Sequence, residues 1–193
     1  MSVGPVLAFD TSAAHCAAVL LVDGVVVVDR MEPMAKGQAE RLIPLLEEVL
    51  AAGGIGWADL AGVGVGTGPG NFTGVRIAVA AARGIALARG IPAIGVTGFA
   101  AAGVADGPVV LPGRTETVYV QTFASGAPDG PAVEMAACDV RAPHLVARLG
   151  AAGIARVAAA RLASGRPEPR PAPLYLRAAD AAPPSEPPPR VLS

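Results

Sequence analysis

The sequence predicts an α/β fold in which a mixed sheet carries helices on its faces, and three observations lead there. Two apolar runs, Ala17–Val22 and Val25–Asp29, flank Asp23-Gly24, a dipeptide that favours a tight hairpin turn. From Gln38 the apolar spacing changes: Ala39, Leu42, Ile43, Leu46, Val49 and Leu50 share one helix face. Short apolar runs then alternate with helical stretches as far as Val96, giving the order β-β-β-α-β-α-β.

The elements follow in turn. Val6 to Phe9 is an apolar run ending in the polar turn Asp10-Thr11-Ser12, and it reads as the first strand, with the hairpin supplying the next two. The helix from Gln38 contains Pro44, which predicts a kink or a restricted first turn, and Gly53-Gly54 stops it. Leu60 to Gly66 is a short buried strand that opens into the glycine-rich loop Gly66–Gly74. Asn71 or Thr73 is placed to cap the next helix, which runs to about Ala88 with Gly90 as its stop. Ile91–Val96 is another strand, and Thr97 begins a short Ala-rich helix.

Beyond about Val104 the texture changes. Val109–Leu111 and Thr117–Phe123 read as strands of a second lobe, and Pro143–Leu162 as broadly helical. From Arg166 the chain is rich in proline, and Ala182–Arg190 reads as a frayed tail. The expected organisation is an N-terminal lobe over 1–104, a shortened C-terminal lobe over 105–180 and a Pro-rich disordered tail over 181–193.

Composition narrows the function classes. The 193 residues are 52% hydrophobic and only 16% charged, with mean hydropathy +0.51, yet aromatics make up just 4%. Disorder needs the opposite balance, so most of the chain is expected to fold. The longest apolar candidate for a membrane span, Val75–Val96, is interrupted by Arg76, Arg83 and Arg89. Each would cost roughly 2.5–3.5 kcal/mol at the bilayer centre. No signal peptide is legible, and the chain reads as cytoplasmic. A net charge of −1 argues against a dedicated nucleic-acid binder, although arginines accumulate beyond residue 140. Cys16 and Cys138 have neither metal nor disulfide-framework spacing, and Cys16 reads as an inert core thiol.

Three stretches invite chemistry. Asp10-Thr11-Ser12 has the make-up of a water-mediated Mg²⁺ and phosphate turn, and equally of an ordinary Asx or Ser/Thr turn. The Gly66–Gly74 loop lets backbone approach an anion at a helix start, but it lacks the Gly-Lys-Ser/Thr ending of a P-loop, and a rigid turn explains it taken alone. In the following helix Gly74, Ala78, Ala81, Ala82 and Ile85 form a small-residue flank suited either to a second helix or to its own sheet. His15 and His144 fall in different expected lobes, no Gly-x-Ser-x-Gly elbow occurs, and no metal-ligand set is readable. Independent catalysis is disfavoured.

Four segments together carry a resemblance: Leu7-Ala-Phe-Asp10-Thr11-Ser12; Gln38-x-x-Arg41-Leu42-Ile43-Pro44; Gly68-Pro-Gly70-Asn-Phe72-Thr73-Gly-Val-Arg76; and Ile91-Pro-Ala-Ile-Gly95-Val-Thr97. In order and spacing, across residues 5 to about 100, they resemble the TsaB (YeaZ) family, and Pro173-Leu-Tyr175-Leu-Arg177 resembles that family's C-terminal element. The resemblance implies an actin/hexokinase/Hsp70-like (ASKHA) fold of two related lobes. It further implies a non-catalytic partner in making N6-threonylcarbamoyladenosine on tRNA. The implied partners are a TsaD-like (YgjD/Kae1-like) catalytic subunit, bound as a heterodimer, and a TsaE-like ATPase. Transfer RNA is then met only through the complex, and an exposed pairing surface implies a homodimer when the partner is missing.

Catalytic relatives carry a His-x-x-x-His metal pair just after the strand equivalent to Ile91–Val96; here Gly98 and Ala102 fall at those places. The second-lobe turn Leu111-Pro-Gly-Arg114 also lacks the family's usual acid, and Ser125–Pro171 looks abbreviated. The resemblance therefore implies no cofactor of this chain's own, with ATP or ADP at a shared subunit interface. Asp10, Thr11, Ser12, Gly68 and Gly70 are the expected nucleotide contacts. Gln38, Arg41, Leu42, Leu45, Thr73, Arg76, Ile77, Ala78 and Ala81 are the expected partner surface. The alternative reading is a nucleotide-binding ASKHA phosphotransferase or ATPase.

Overall fold

A computed structural model describes residues 3–113, 115–140 and 150–176. Its first sheet has five strands: β1 (Val6–Asp10), β2 (His15–Val22), β3 (Val25–Pro33), β4 (Gly62–Gly66) and β5 (Ala93–Val96), in the order β3-β2-β1-β4-β5. β1, β2 and β3 are antiparallel neighbours, whereas β1, β4 and β5 run parallel, so the sheet is mixed. The β2–β3 turn has positive φ at both Asp23 and Gly24, which matches the twist of a two-residue hairpin.

Two helices lie on one face of this sheet. α1 (Gln38–Ala52) buries Leu42, Leu45, Leu46, Val49 and Leu50 against it, and α2 (Phe72–Arg89) buries Gly74, Val75, Ala78, Val79 and Ala82. α1 continues through Pro44 because that residue lies on the exposed side, where the Glu40 carbonyl it cannot pair is left to water. Asn71 caps α2, its side-chain oxygen accepting from the Thr73 and Gly74 amides at 3.0 Å each, and Gly90 ends it at φ 66°.

The opposite face is covered from far along the chain. α4 (Ala151–Ala163) packs Ala151, Ile154, Ala155 and Ala158 onto β1, β2, β4 and β5. Gly64 permits this: a Cβ there would stand 2.9 Å from the Ala158 methyl, so only glycine lets the helix come down onto β4. The helix expected over Pro143–Leu162 thus starts at Ala151, residues 141–149 lying outside the described set, and it completes the first sheet rather than building only on the second.

The second sheet joins β6 (Gly107–Pro112), β7 (Thr117–Ala124), β8 (Ala127–Pro128) and β9 (Val133–Ala136), with β6, β8 and β9 all antiparallel to β7. Its core is Val109, Leu111, Tyr119 and Phe123 around Phe99, the last from the single-turn α3 (Gly98–Ala101). The expected tail over 181–193 lies outside the described residues. Among the described residues no helix is long and apolar enough to cross a membrane.

Candidate functional site

The turn after β1 and the start of α2 form one hydrogen-bonded unit. The Asp10 carboxylate, 3% exposed, accepts from the Ser12 amide (3.1 Å), the Ser12 hydroxyl (2.8 Å) and His15 Nε2 (2.8 Å). Its second oxygen lies against the Gly66 α-carbon, in the space that a Cβ would fill. The Thr11 hydroxyl donates to the Gly74 carbonyl at 2.6 Å, and the Asn71 amide to the Ser12 carbonyl at 2.6 Å. Gly68 is buried, its carbonyl accepting from the Gly98 amide at 2.8 Å. Of the five expected nucleotide contacts, then, only Gly70 is well exposed. The Asp10 carboxylate and the Ser12 hydroxyl are thus engaged within the β1–β2 turn, while the Thr11 hydroxyl and the Ser12 carbonyl fasten that turn to the start of α2.

The expected partner surface divides in the same way. Leu42, Leu45 and Ala78 are at most 1% exposed; they face the sheet and cannot meet a second chain. The Gly74–Ala78–Ala82 flank is the side of α2 that faces its own sheet, so the small-residue stripe serves the core. Gln38 donates to the Met34 carbonyl. Arg41 bridges Glu32 and Glu48 at 2.6–2.7 Å, an arrangement that holds both carboxyls below the ordinary value of 4.5, chiefly through the Arg41 hydrogen bonds. Arg41 is therefore turned towards β3. Thr73 stays exposed, and Ile77 and Ala81 are half-buried beside the core.

Arg76 has a partner that spacing did not suggest. Its Nε donates to the Tyr175 hydroxyl at 2.7 Å, and its guanidinium carbon lies 3.6 Å from the Phe72 ring centre and 5.6 Å from that of Tyr175. The two rings are 4.9 Å apart. The Gly-Pro-Gly-Asn-Phe-Thr-Gly-Val-Arg and Pro-Leu-Tyr segments, about a hundred residues apart, thus form one cation–aromatic clasp. Further contacts hold the same C-terminal segment: Arg83 Nε donates to the Pro171 carbonyl (2.8 Å) and the Leu174 amide to the Thr67 carbonyl (2.8 Å).

What remains open on these helices is one side of α2 and part of α1. Leu87 is 86% exposed and Ile43 41%, with exposed Thr73, Ala80 and Gly84 along α2. Leu87 carried a readable signal: it lies well off the face defined by Ala78 and Ala82. Ile43 carried none, since its spacing matches the buried face of α1. At the places of the metal-binding histidines of catalytic relatives, Gly98 is buried and Ala102 half-buried.

Residues 32–128 match the family described as TsaD: tRNA N6-adenosine threonylcarbamoyltransferase. An uncharacterized protein of Mycobacterium tuberculosis is 36% identical over 95% of this chain and 96% of its own length. The tRNA threonylcarbamoyladenosine biosynthesis protein TsaB of Escherichia coli is 36% identical over 92 residues, 48% of this chain and 39% of that protein. Among solved structures, YeaZ from Pseudomonas aeruginosa superposes with a TM-score of 0.73 at 23% identity, covering 90% of this chain and 100% of that one. That likeness shows the fold.

Proposed function

Because this chain belongs to the TsaB (YeaZ) family of tRNA threonylcarbamoyladenosine biosynthesis proteins, we propose that it is the non-catalytic subunit that pairs with a TsaD-like threonylcarbamoyltransferase. The observation that carries this reading is the strip Thr73, Ile77, Ala80, Gly84 and Leu87 on α2, with Ile43 also exposed on α1. Apolar and short side chains let a partner helix approach closely, and the charges beside the strip, Arg76 and Arg83, already have partners in Tyr175 and the Pro171 carbonyl. The pairing surface is thus the outer face of α2, rotated away from Gln38, Arg41, Leu42, Leu45 and Ala78.

A non-catalytic role rests on chemistry. Glycine and alanine at positions 98 and 102 offer no side-chain ligand, and the Asp10 carboxylate already accepts three hydrogen bonds. ATP or ADP belongs at the shared subunit interface, a TsaE-like ATPase engages the assembled pair, and tRNA is met through the complex.

The test is titration of the full chain with its cognate TsaD-like subunit, followed by reconstituted tRNA modification. Wild type should form a heterodimer at micromolar concentration and be needed for turnover. Gly84→Trp should fold normally, since nothing lies within 4 Å of a side chain started there, yet lose pairing. Pairing unaltered in Gly84→Trp, or no complex with wild type, overturns the proposal.

A further inference from the structure

The far edge of the first sheet carries a groove that adjoins the pairing face at Leu87. β5 is an edge strand, and a groove of about 860 Å³ runs along it between the C-terminal halves of α2 and α4, bounded by residues 165–171. Ala86, Leu87, Ile91, Pro92 and Leu162 give it an apolar lining. Four arginines, Arg83, Arg161, Arg166 and Arg170, stand around it against a single acid, Glu168. Arg166 and Arg170 are exposed and have no ion pair among the described residues.

The backbone of β5 says what shape would fit. In a parallel ladder alternate residues turn both backbone groups to the same neighbour. The Val63 amide donates to the Pro92 carbonyl and the Thr67 amide to that of Val96, so Pro92, Ile94 and Val96 serve β4, while Ala93 and Gly95 face outward. Arg161 Nη1 takes the Gly95 carbonyl at 2.9 Å. The Ala93 amide and carbonyl have no hydrogen-bond partner among the described residues and border the groove.

We propose that this groove binds an extended acidic segment of a partner protein, which adds to the β5 edge through Ala93 and sets its carboxylates against Arg83, Arg161, Arg166 and Arg170. The unpaired edge supplies direction, the apolar lining takes alternate side chains, and the arginines select acidic residues over basic ones. An RNA backbone fits less well: it has no use for a paired amide and carbonyl, and the lining has no aromatic ring for a base.

The probe is a short fluorescein-labelled peptide alternating glutamate and valine, titrated onto the full chain by anisotropy. It should bind, with an affinity that falls as salt rises, while the lysine–valine peptide does not. Double reversal of Arg166→Glu and Arg170→Glu, and separately Ala93→Pro, should each weaken binding roughly tenfold or more. Proline is tolerated where the lost amide faces off the sheet. Should Ala93→Pro unfold, slowed hydrogen exchange at the Ala93 amide on adding peptide to wild type reads the same contact. No peptide binding overturns the proposal, as does binding indifferent to Ala93→Pro in a folded variant or unaccompanied by Ala93 protection. A short RNA duplex that binds at these arginines in preference to the peptide overturns it as well.

Discussion

Gly74 and Gly84 lie in one helix ten residues apart, and the same change to alanine should act oppositely at the two. At Gly74 the added Cβ would overlap the Thr11 carbonyl oxygen, a backbone atom that cannot swing away. Relief requires α2 to move off the β1 turn, which also stretches the 2.6 Å Thr11–Gly74 hydrogen bond. Overpacking of this kind costs about 1–3 kcal/mol, and a buried hydrogen bond adds about 1 kcal/mol. Against that stands the helix-propensity gain of about 1 kcal/mol. The net is a loss of about 2 kcal/mol for Gly74→Ala. At Gly84 no atom lies within 4 Å of the new methyl, so only the propensity gain remains, roughly 0.5–1 kcal/mol of stabilisation. For a chain of this size each kcal/mol moves Tm by about 2–4 °C, so the variants should melt about 5–12 °C apart on opposite sides of wild type. Urea unfolding followed by circular dichroism, with the slope unchanged, measures both differences. If Gly74→Ala is as stable as wild type, the turn after β1 is not clamped to α2, and the structural assignment of Asp10-Thr11-Ser12 falls.

Other consequences are more local. Burial pushes the Cys16 thiol up to about 11, whereas Cys138 is exposed, so a thiol reagent near pH 8 should titrate one cysteine in the native protein and two after denaturation; two in the native state would contradict the packing of β2. Arg41 lowers the folded pKa of Glu32 and Glu48, so their contribution is complete above the ordinary carboxylate value of 4.5 and lost as pH falls through the lower folded values. Arg41→Met should flatten the acid limb of the stability profile, and limbs of equal slope would refute the bridge. Tyr175→Ala removes an exposed clasp worth under about 1 kcal/mol, yet it should speed hydrogen exchange at the neighbouring Leu174 amide, which donates to the Thr67 carbonyl; an unchanged rate would mean that the clasp does not hold the C-terminal segment.

The first sheet was legible because its signals are local. The hairpin turn, the Asn71 cap and the Gly90 stop each depend on residues adjacent in sequence, and each lies where the spacing put it. What could not be read is what the chain closes over distance. Nothing near Gly64 announces that α4 arrives from about ninety residues on, and nothing in Arg76 names Tyr175. The small-residue flank of α2 was ambiguous in principle: glycine and alanine permit close approach to a second chain and to the chain's own sheet alike, and only burial of Ala78 decides for the sheet. Ile43 misleads for a related reason. It keeps the spacing of the α1 core face yet sits at the end of that arc, 41% exposed.

Leu87 is the point at which the two proposed surfaces touch. It is the most exposed large apolar residue among those described, stands on the outer strip of α2 and also lines the groove beside β5. Gly84 lies only on the strip, and Arg170 only at the groove. A partner helix that covers Leu87 takes apolar lining away from a peptide bound along β5, so pairing should weaken the acidic peptide, and the peptide should weaken pairing by the same factor. Covering one leucine is worth about 1.5–3 kcal/mol, and the two ligands compete for only part of it. The expected coupling is therefore about 1 kcal/mol, roughly fivefold in each affinity. Leu87→Ala should lower both affinities and remove most of the coupling, whereas Gly84→Trp should abolish pairing and leave peptide affinity unchanged. Coupling that survives Leu87→Ala would place the communication elsewhere, and equal peptide affinity in the free chain and the heterodimer would separate the two surfaces altogether.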